Sequence, residues 1–460
     1  MMESTVSIIG LGKLGIPMAA CLAAKGLSVI GVDVDPGRVE AINRGRAPIV
    51  EPALDSLIKD GRSRLTATQD IETAVRSSQI TFVVVPTPSE PDGSFSLRHV
   101  AAAAERVGRV LRTKRDPHLV VITSTVLPGS TDGEICTILE QRSGKSCGAG
   151  FGLCYNPEFI ALGSVIHDFL NPDFILIGES DTHSGATLEA LYKRVCENEP
   201  PVARMGIINA ELTKLAVNTY VTTKISFANM LSRICARLPG ADVDVVTKAL
   251  GLDTRIGGKY LRGSISYGGP CFPRDNRALA ALAHRIGASA DLAETTDRFN
   301  REHVLWLAGL TQSRLNGGAV GILGLTYKPN TDVVEAAVGV LLSRELASRG
   351  VEVTVYDPAG TGNAKCLLGE NVRVAASAAE CIRTAEVVVL ATAWPEFSEL
   401  PEEAWTAGAS ARTVIDCWQT VGHLRTCPGI SYVRLGAGEY AVSVLTNPPV
   451  EAATSVARCS

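Results

Sequence analysis

The chain has 460 residues, 46% hydrophobic and 20% charged, with 44 basic against 48 acidic side chains and a net charge of −4. At about 100–200 residues per domain this length predicts two to four domains, and the mild acidity argues against a nucleic-acid-binding surface while leaving room for a local phosphate pocket. Twelve cysteines without a CxxC pair and seven histidines without HExxH spacing argue against a disulfide scaffold or a metal site, and predict mostly buried thiols in a reducing cytoplasm.

Met1–Thr5 lacks the basic stretch of a signal peptide and runs into Val6–Ile9, which reads as a first strand. No apolar run approaches the ~18 residues of a membrane span, so no membrane partner is expected. Further strands are predicted at Ser28–Asp33, Ile80–Val85, Leu119–Thr123 and Phe174–Ile177, with helical stretches between them. That alternation predicts a parallel sheet covered on both faces. The turn-rich segment from Pro86 to Gly93 is expected to be a loop at a strand's carboxyl end. From Ile208 to Leu238 nothing interrupts a helix until Pro239-Gly240. Strand–helix alternation resumes at Val320–Leu323, Val351–Tyr356, Glu386–Ala391 and Thr413–Asp416. The stretch Ser28–Pro36 is faintly echoed by Glu352–Pro358, consistent with two similar α/β units.

Gly10-Leu-Gly12-Lys-Leu14-Gly15 fits GxGxxG directly after the first strand. The first glycine permits a tight turn, the second lets backbone approach a pyrophosphate, and the third lets helix pack on strand. Asp33 ends the next strand at the distance where a carboxylate meets a ribose 2′-hydroxyl, which favours NAD over NADP. Arg38 nearby leaves the choice less sharp.

Cys271 stands in Gly268-Gly-Pro-Cys-Phe-Pro-Arg-Asp275, just before a helix predicted from about Pro273 to Arg285. A thiol at a helix N-terminus is expected to have a lowered pKa; the alternative is a buried structural cysteine. Lys214 and Asn218 lie four apart on one face of the long helix, with Thr222 extending the row. Such a stripe is either a solvated face or a pair of donors able to stabilise an alkoxide.

Together these segments resemble the UDP-glucose/GDP-mannose dehydrogenase family, most closely its UDP-glucose 6-dehydrogenase branch. The resemblance covers about residues 5–440. It adds Glu51-Pro52, Thr87-Pro88, Ser124-Thr125-Val126, Asn156-Pro-Glu158-Phe159, Asp253-Thr-Arg255-Ile-Gly257 and Tyr327-Lys328-Pro-Asn-Thr-Asp332. It implies oxidation of a nucleotide sugar's C6 alcohol to a carboxylate with two NAD⁺ in succession. Cys271 would carry a thiohemiacetal and then a thioester. By the same resemblance Lys214 and Asn218 stabilise oxyanions, Asp275 orders water and the lysine, and Glu158 assists proton transfer. Thr125 is expected among the catalytic residues, beside both cofactor and substrate, and Thr87 at the cofactor. Phe159, Tyr260, Gly268 and Lys328 are expected to contact substrate, and Arg255 to reach the site of a neighbouring subunit in a homodimer or larger homo-oligomer. Lys259 and Arg262 are candidates for the nucleotide phosphates, or else solvated surface cations.

Three positions depart from the family pattern: Leu162 where a glutamate is common, Glu335 near an expected arginine, and Trp418 in Asp416-Cys-Trp-Gln419. They bear on sugar-nucleotide and cofactor contacts and leave the cysteine chemistry intact. The expected architecture is α/β, with two Rossmann-like doubly wound parallel-sheet domains joined by a long-helix domain. The expected boundaries are 1–205 for NAD, 206–315 for the helices and the cysteine, and 316–445 for the nucleotide sugar, with a mobile tail at 446–460. UDP-glucose oxidation leads. Competing readings are another nucleotide sugar, a two-electron β-hydroxyacid-type dehydrogenase, and a non-catalytic binding protein.

Overall fold

A computed structural model describes residues 5–408 and 411–438, so the expected tail lies outside the described residues. The first sheet contains β1 (Thr5–Ile9), β2 (Ser28–Val32), β3 (Leu65–Thr68), β4 (Ile80–Val83), β5 (Leu119–Ile122), β6 (Gly152–Tyr155), β7 (Ile175–Glu179) and β8 (Val202–Gly206). The second contains β9 (Val320–Leu323), β10 (Val353–Tyr356), β11 (Val372–Val374), β12 (Val387–Leu390), β13 (Arg412–Asp416) and β14 (Ile430–Arg434).

Their orders are β3-β2-β1-β4-β5-β6-β7-β8 and β11-β10-β9-β12-β13-β14. Each sheet therefore reverses direction after its first strand, between β1 and β4 and between β9 and β12. That reversal opens a crevice at the strands' carboxyl ends. Strands β1, β4 and β5 are buried along most or all of their length, as a sheet covered on both faces requires. All pairs are parallel except β6 with β7, where Cys154 faces Glu179. The sequence expectation of an all-parallel first sheet is corrected at that one pair.

The long helix spans Ile207–Cys235, about 44 Å at 1.5 Å per residue. Its patterning is inverted relative to an ordinary surface helix. Glu211, Lys214, Asn218, Thr222 and Asn229 are buried, whereas Ile208, Leu212, Tyr220, Phe227 and Ile234 are exposed. The polar stripe is therefore not a solvated face. Its members find partners inside the protein, as burial of polar groups demands. Among the described residues no helix is long and apolar enough to cross a membrane.

Candidate active site

The first glycine turn has the geometry that its residues predict. Gly10 has φ +99°, and a Cβ there would overlap the Val84 carbonyl oxygen. A Cβ on Gly15 would strike the Gly10 carbonyl, so helix Gly15–Ala24 sits hard against the turn. Gly12 has no neighbour within 4 Å of where its Cβ would be, which leaves backbone open on the side a pyrophosphate would take. Leu14 is the N-cap residue of that helix. Asp33 accepts from Leu11 N–H at 2.8 Å, from Asp35 N–H at 2.9 Å and from Arg38 Nη1 at 3.4 Å. A carboxylate offers about four lone-pair sites, so capacity for a ribose hydroxyl remains. The turn fits a dinucleotide.

Cys271 is the N-cap residue of helix Phe272–Arg285, with Pro273 in the first turn. The long helix runs beside this one and brings its buried stripe to the same place. Asn218 Nδ2 donates to Asp275 Oδ2 at 2.6 Å, and Lys214 Nζ donates to the Glu158 carbonyl at 2.6 Å. Lys214 also lies 4.3 Å from the centre of the Phe159 ring. Asp275 is 1% exposed, yet its Oδ1 has no hydrogen-bond partner. Arg274 Nε stands 3.6 Å from it and is itself unpartnered. An orphaned buried carboxylate oxygen is costly unless something binds there.

The electrostatics of the cluster correct one expectation. Cys271 is accessible to solvent, but burial around its sulfur and then the Asp275 carboxylate push the thiol above its ordinary value. Lys214 and Arg274 pull it down, and Glu335 adds to the rise. The lowered thiol pKa predicted from the helix N-terminus is overridden by these neighbours. Burial lowers the Lys214 ammonium pKa, against the opposing charges of Asp275, Cys271 and Glu158. Burial also pushes Glu158 up to about 7, opposed by a Tyr192 hydrogen bond and by Lys214. These are the conditions under which protons move near neutral pH.

The surrounding walls come from all three parts of the chain. Thr87 Oγ1 donates to the Thr125 carbonyl at 2.8 Å, and Arg274 Nη1 donates to the Thr87 carbonyl at 3.2 Å. Arg274 thus ties the cysteine helix to the loop after β4, a contact between distant segments that no sequence spacing reveals. On the other side Gly269 N–H donates to the Glu335 carbonyl at 2.9 Å. A Cβ on Gly268 would overlap Ala336, and one on Gly269 would lie 2.7 Å from the Tyr327 ring. Tyr260, at φ +63°, turns its ring edge-on to Phe272 at 6.4 Å. Burial lowers the Lys328 pKa, against the pull of Asp168 and Glu51. The Glu51 carboxylate holds Gly163 and Val165 by their N–H groups at 2.9 and 2.8 Å.

Arg255 is not brought to this cluster within the single chain. It is exposed and pairs with Asp253 at 2.6 Å. Lys259 pairs with Asp173 at 2.9 Å, also on the surface. Arg262 donates to the Trp418 carbonyl and lies over its ring at 5.7 Å, while the indole N–H donates to the Ala391 carbonyl at 3.0 Å.

Family models cover most of the chain. The NAD-binding domain of the UDP-glucose/GDP-mannose dehydrogenase family matches residues 4–196, its central domain 208–302 and its UDP-binding domain 321–423. A UDP-glucose 6-dehydrogenase of Haloferax volcanii is 38% identical over 403 residues, 86% of this chain and 93% of its own. A GDP-mannose 6-dehydrogenase of Pseudomonas putida is 36% identical over 358 residues, 76% of this chain and 80% of its own. The structure of a UDP-glucose dehydrogenase from Pyrobaculum islandicum superposes with a TM-score of 0.85 at 35% identity, covering 95% of this chain and 98% of that one. With the glycine turn, the cysteine cluster and the two sheets already in place, the chain belongs to the UDP-glucose/GDP-mannose dehydrogenase family of NAD-dependent nucleotide-sugar 6-dehydrogenases.

Proposed function

We propose that the chain oxidises the C6 alcohol of UDP-glucose to a carboxylate through a thioester on Cys271. The observation that carries this reading is the cluster of Cys271, Lys214, Asn218 and Asp275, in which the Asp275 Oδ1 atom lacks a partner. NAD, when bound, supplies the hydride acceptor for each of two oxidation steps.

The chain's own residues do the rest. Lys214, made easier to deprotonate by burial, takes the alcohol proton as the first hydride leaves C6. The Cys271 sulfur then bonds to the aldehyde carbon, its proton passing to the new oxygen. Lys214 and Asn218 stand beside that oxygen. Lys214 passes its first proton to solvent and takes the hydroxyl proton as the second hydride leaves, which yields the thioester. Water held at Asp275 Oδ1 attacks the acyl carbon, the carbon–sulfur bond breaks, and the thiol is restored. A thiol held above its ordinary pKa stays protonated until the aldehyde arrives, and the covalent link keeps that aldehyde from escaping.

Phe159, Tyr260, Gly268 and Lys328 are proposed to line the sugar-nucleotide side, with the domain limits near residues 205 and 315. The exposed apolar row on the long helix supports a homodimer, in which Arg255 completes the partner's site. The proposed setting is the cytoplasm.

The names of the relatives favour UDP-glucose, while GDP-mannose 6-dehydrogenases stand nearly as near in sequence. A panel of UDP-glucose, UDP-N-acetylglucosamine, UDP-N-acetylmannosamine and GDP-mannose, scored for NADH and acid, tests the choice. The expected result is highest kcat/KM with UDP-glucose and two NADH per acid. A higher value with another sugar reassigns the substrate, and one NADH per product contradicts the four-electron reaction. For the dimer, mixing Arg255→Ala with Cys271→Ala subunits should restore part of the lost activity; verified exchange without recovery removes Arg255 from the partner's site.

A further inference from the structure

Helix Thr182–Val195 places a buried hydroxyl between two acceptors. Tyr192 Oη lies 2.5 Å from Asn156 Oδ1 and 2.9 Å from Glu158 Oε1. The Asn156 amide cannot be turned to help, because its Nδ2 already donates to the Leu176 carbonyl at 2.9 Å. Asn156 Oδ1 is therefore an acceptor. A phenol has one proton, so it satisfies both neighbours only when one of them supplies a proton of its own. That neighbour is Glu158.

We infer that Tyr192 is a positioning residue whose hydroxyl swivels with the protonation state of Glu158. When Glu158 is protonated, its O–H donates to Tyr192 Oη, and Tyr192 donates to Asn156. When Glu158 is ionised, the Tyr192 proton turns to the carboxylate. Tyr192 keeps its proton throughout, so only Glu158 gains or loses one. Asn156 gives up a hydrogen bond in the ionised state, which offsets part of what the carboxylate gains from the Tyr192 donor.

This inference rests on the proposed proton-handling role of Glu158 in thioester hydrolysis. In that step one water proton goes to the departing Cys271 sulfur and the other to the Glu158 carboxylate, and the product leaves as a carboxylate. The swivel lets Glu158 accept that proton and later return it to solvent. Other groups facing Glu158 are Lys214 on the long helix, Cys21 on helix Gly15–Ala24, and Cys196 just beyond Val195. Lys214 favours the ionised form, and both thiols are themselves pushed up by burial. Of these neighbours, the Tyr192 hydroxyl can answer either state with a hydrogen bond already in place.

Tyr192→Phe removes the hydroxyl while retaining the ring that packs 6.1 Å from Phe169. With the nucleotide sugar and NAD⁺, kcat should fall roughly tenfold, the worth of a hydrogen bond to a charged group, and KM should stay within about twofold. The limb of the kcat–pH profile that follows Glu158 ionisation should move to higher pH, since the carboxylate loses a donor. Glu158→Gln should lack that limb, and adding Tyr192→Phe to it should change little more. An isotope-edited infrared titration of the Glu158 carboxyl in the resting protein should show the same upward shift, independent of turnover. If Glu158→Gln cripples turnover while Tyr192→Phe leaves the profile and the infrared midpoint in place, the swivel is overturned alone. Equal losses from Tyr192→Phe with and without Glu158→Gln overturn it too. Near-native turnover by Glu158→Gln overturns both the swivel and the proposed role of Glu158.

Discussion

Asp33 and Asp357 stand just past the second strands of two sheets that share one order, β3-β2-β1-β4 and β11-β10-β9-β12, yet their carboxylates are occupied differently. Asp33 meets three donors. Asp357 meets six: the N–H groups of Leu325, Thr326, Ala359 and Gly360, the Thr326 hydroxyl and the Trp394 indole. One acid has room for a ribose hydroxyl and the other is saturated.

The glycine turns repeat the contrast. Gly324 has φ +102°, close to Gly10, and a Cβ on Gly339 would strike the Gly324 carbonyl just as one on Gly15 would strike Gly10. Five positions separate Gly10 from Gly15, but fifteen separate Gly324 from Gly339. The added residues carry Tyr327, Glu335 and Ala336 across to the cysteine turn and Asp332 to Lys13 of the first glycine turn. The same turn leaves backbone open beside Gly12 in one half and launches an arm to the cysteine turn in the other. A shared fold therefore does not carry a shared ligand site.

Removing each acid in turn should separate the two halves. Asp357→Ala strands several buried donors and should cost about 3–5 kcal/mol of stability, with many N–H groups left unpaired. Asp33→Ala should cost about 1–2 kcal/mol in urea denaturation but weaken NAD⁺ binding roughly 10- to 100-fold by fluorescence titration, the worth of a charge-assisted hydrogen bond. Similar losses of affinity from both variants would erase the distinction between the halves. Trp394→Phe sharpens it further: stability should fall by about 1–2 kcal/mol, with NAD⁺ affinity unchanged.

Much of the first glycine turn and of the cysteine segment is legible in the sequence because the signals are local. GxGxxG, the acid after β2 and the proline behind Cys271 each act within a few residues. The second turn hides because its glycines are split by an insertion. β3, β6, β8, β11 and β14 escape because they lack long β-branched runs, as in Gly152-Leu-Cys-Tyr155. The buried polar stripe, the Arg274 tie to Thr87 and the approach of Tyr192 to Glu158 depend on long-range packing. So does the raised thiol, whose neighbours Lys214, Arg274 with Asp275, and Glu335 belong to three separate segments.

The turns that follow β5 and β13 allow a smaller test. After β13 the Asp416 carboxylate, part of the strand itself, accepts from Trp418, Thr420 and Val421 N–H groups. After β5 the role falls to Glu211 of the long helix, which accepts from Gly129 and Thr131 N–H at 2.6 and 2.8 Å. Burial pushes Glu211 up to about 7 despite those bonds. The folded protein thus binds a proton that the unfolded chain releases near pH 4.5. That contribution is full below about pH 4.5 and is lost as pH rises through about 7, as is the contribution of Glu158. The fall in urea midpoint between about pH 5 and pH 8 should accordingly be smaller in Glu211→Gln than in the native chain; an unchanged fall contradicts the assignment.

The smallest expected effect belongs to the ion pair that joins the two halves at the first glycine turn, Lys13 Nζ to Asp332 Oδ1 at 2.7 Å. Both partners are substantially exposed, so Asp332→Asn should shift stability by less than about 1 kcal/mol, and less again at high salt. A loss of several kcal/mol would make this contact a structural joint between the halves rather than a surface pair.

Cys271 is proposed to bond covalently to the substrate, and replacing its sulfur by oxygen decides whether it does. Serine keeps the shape but is a poorer nucleophile toward the aldehyde and a poorer leaving group from the acyl carbon. Purified Cys271→Ser should bind NAD⁺ and the nucleotide sugar as the native enzyme does, should lose steady-state turnover by about 10³-fold or more, and can hold an acyl adduct visible in the intact mass. The native enzyme should yield two NADH per acid without free aldehyde accumulating. Near-native four-electron turnover by Cys271→Ser, or by Cys271→Ala, would contradict the account.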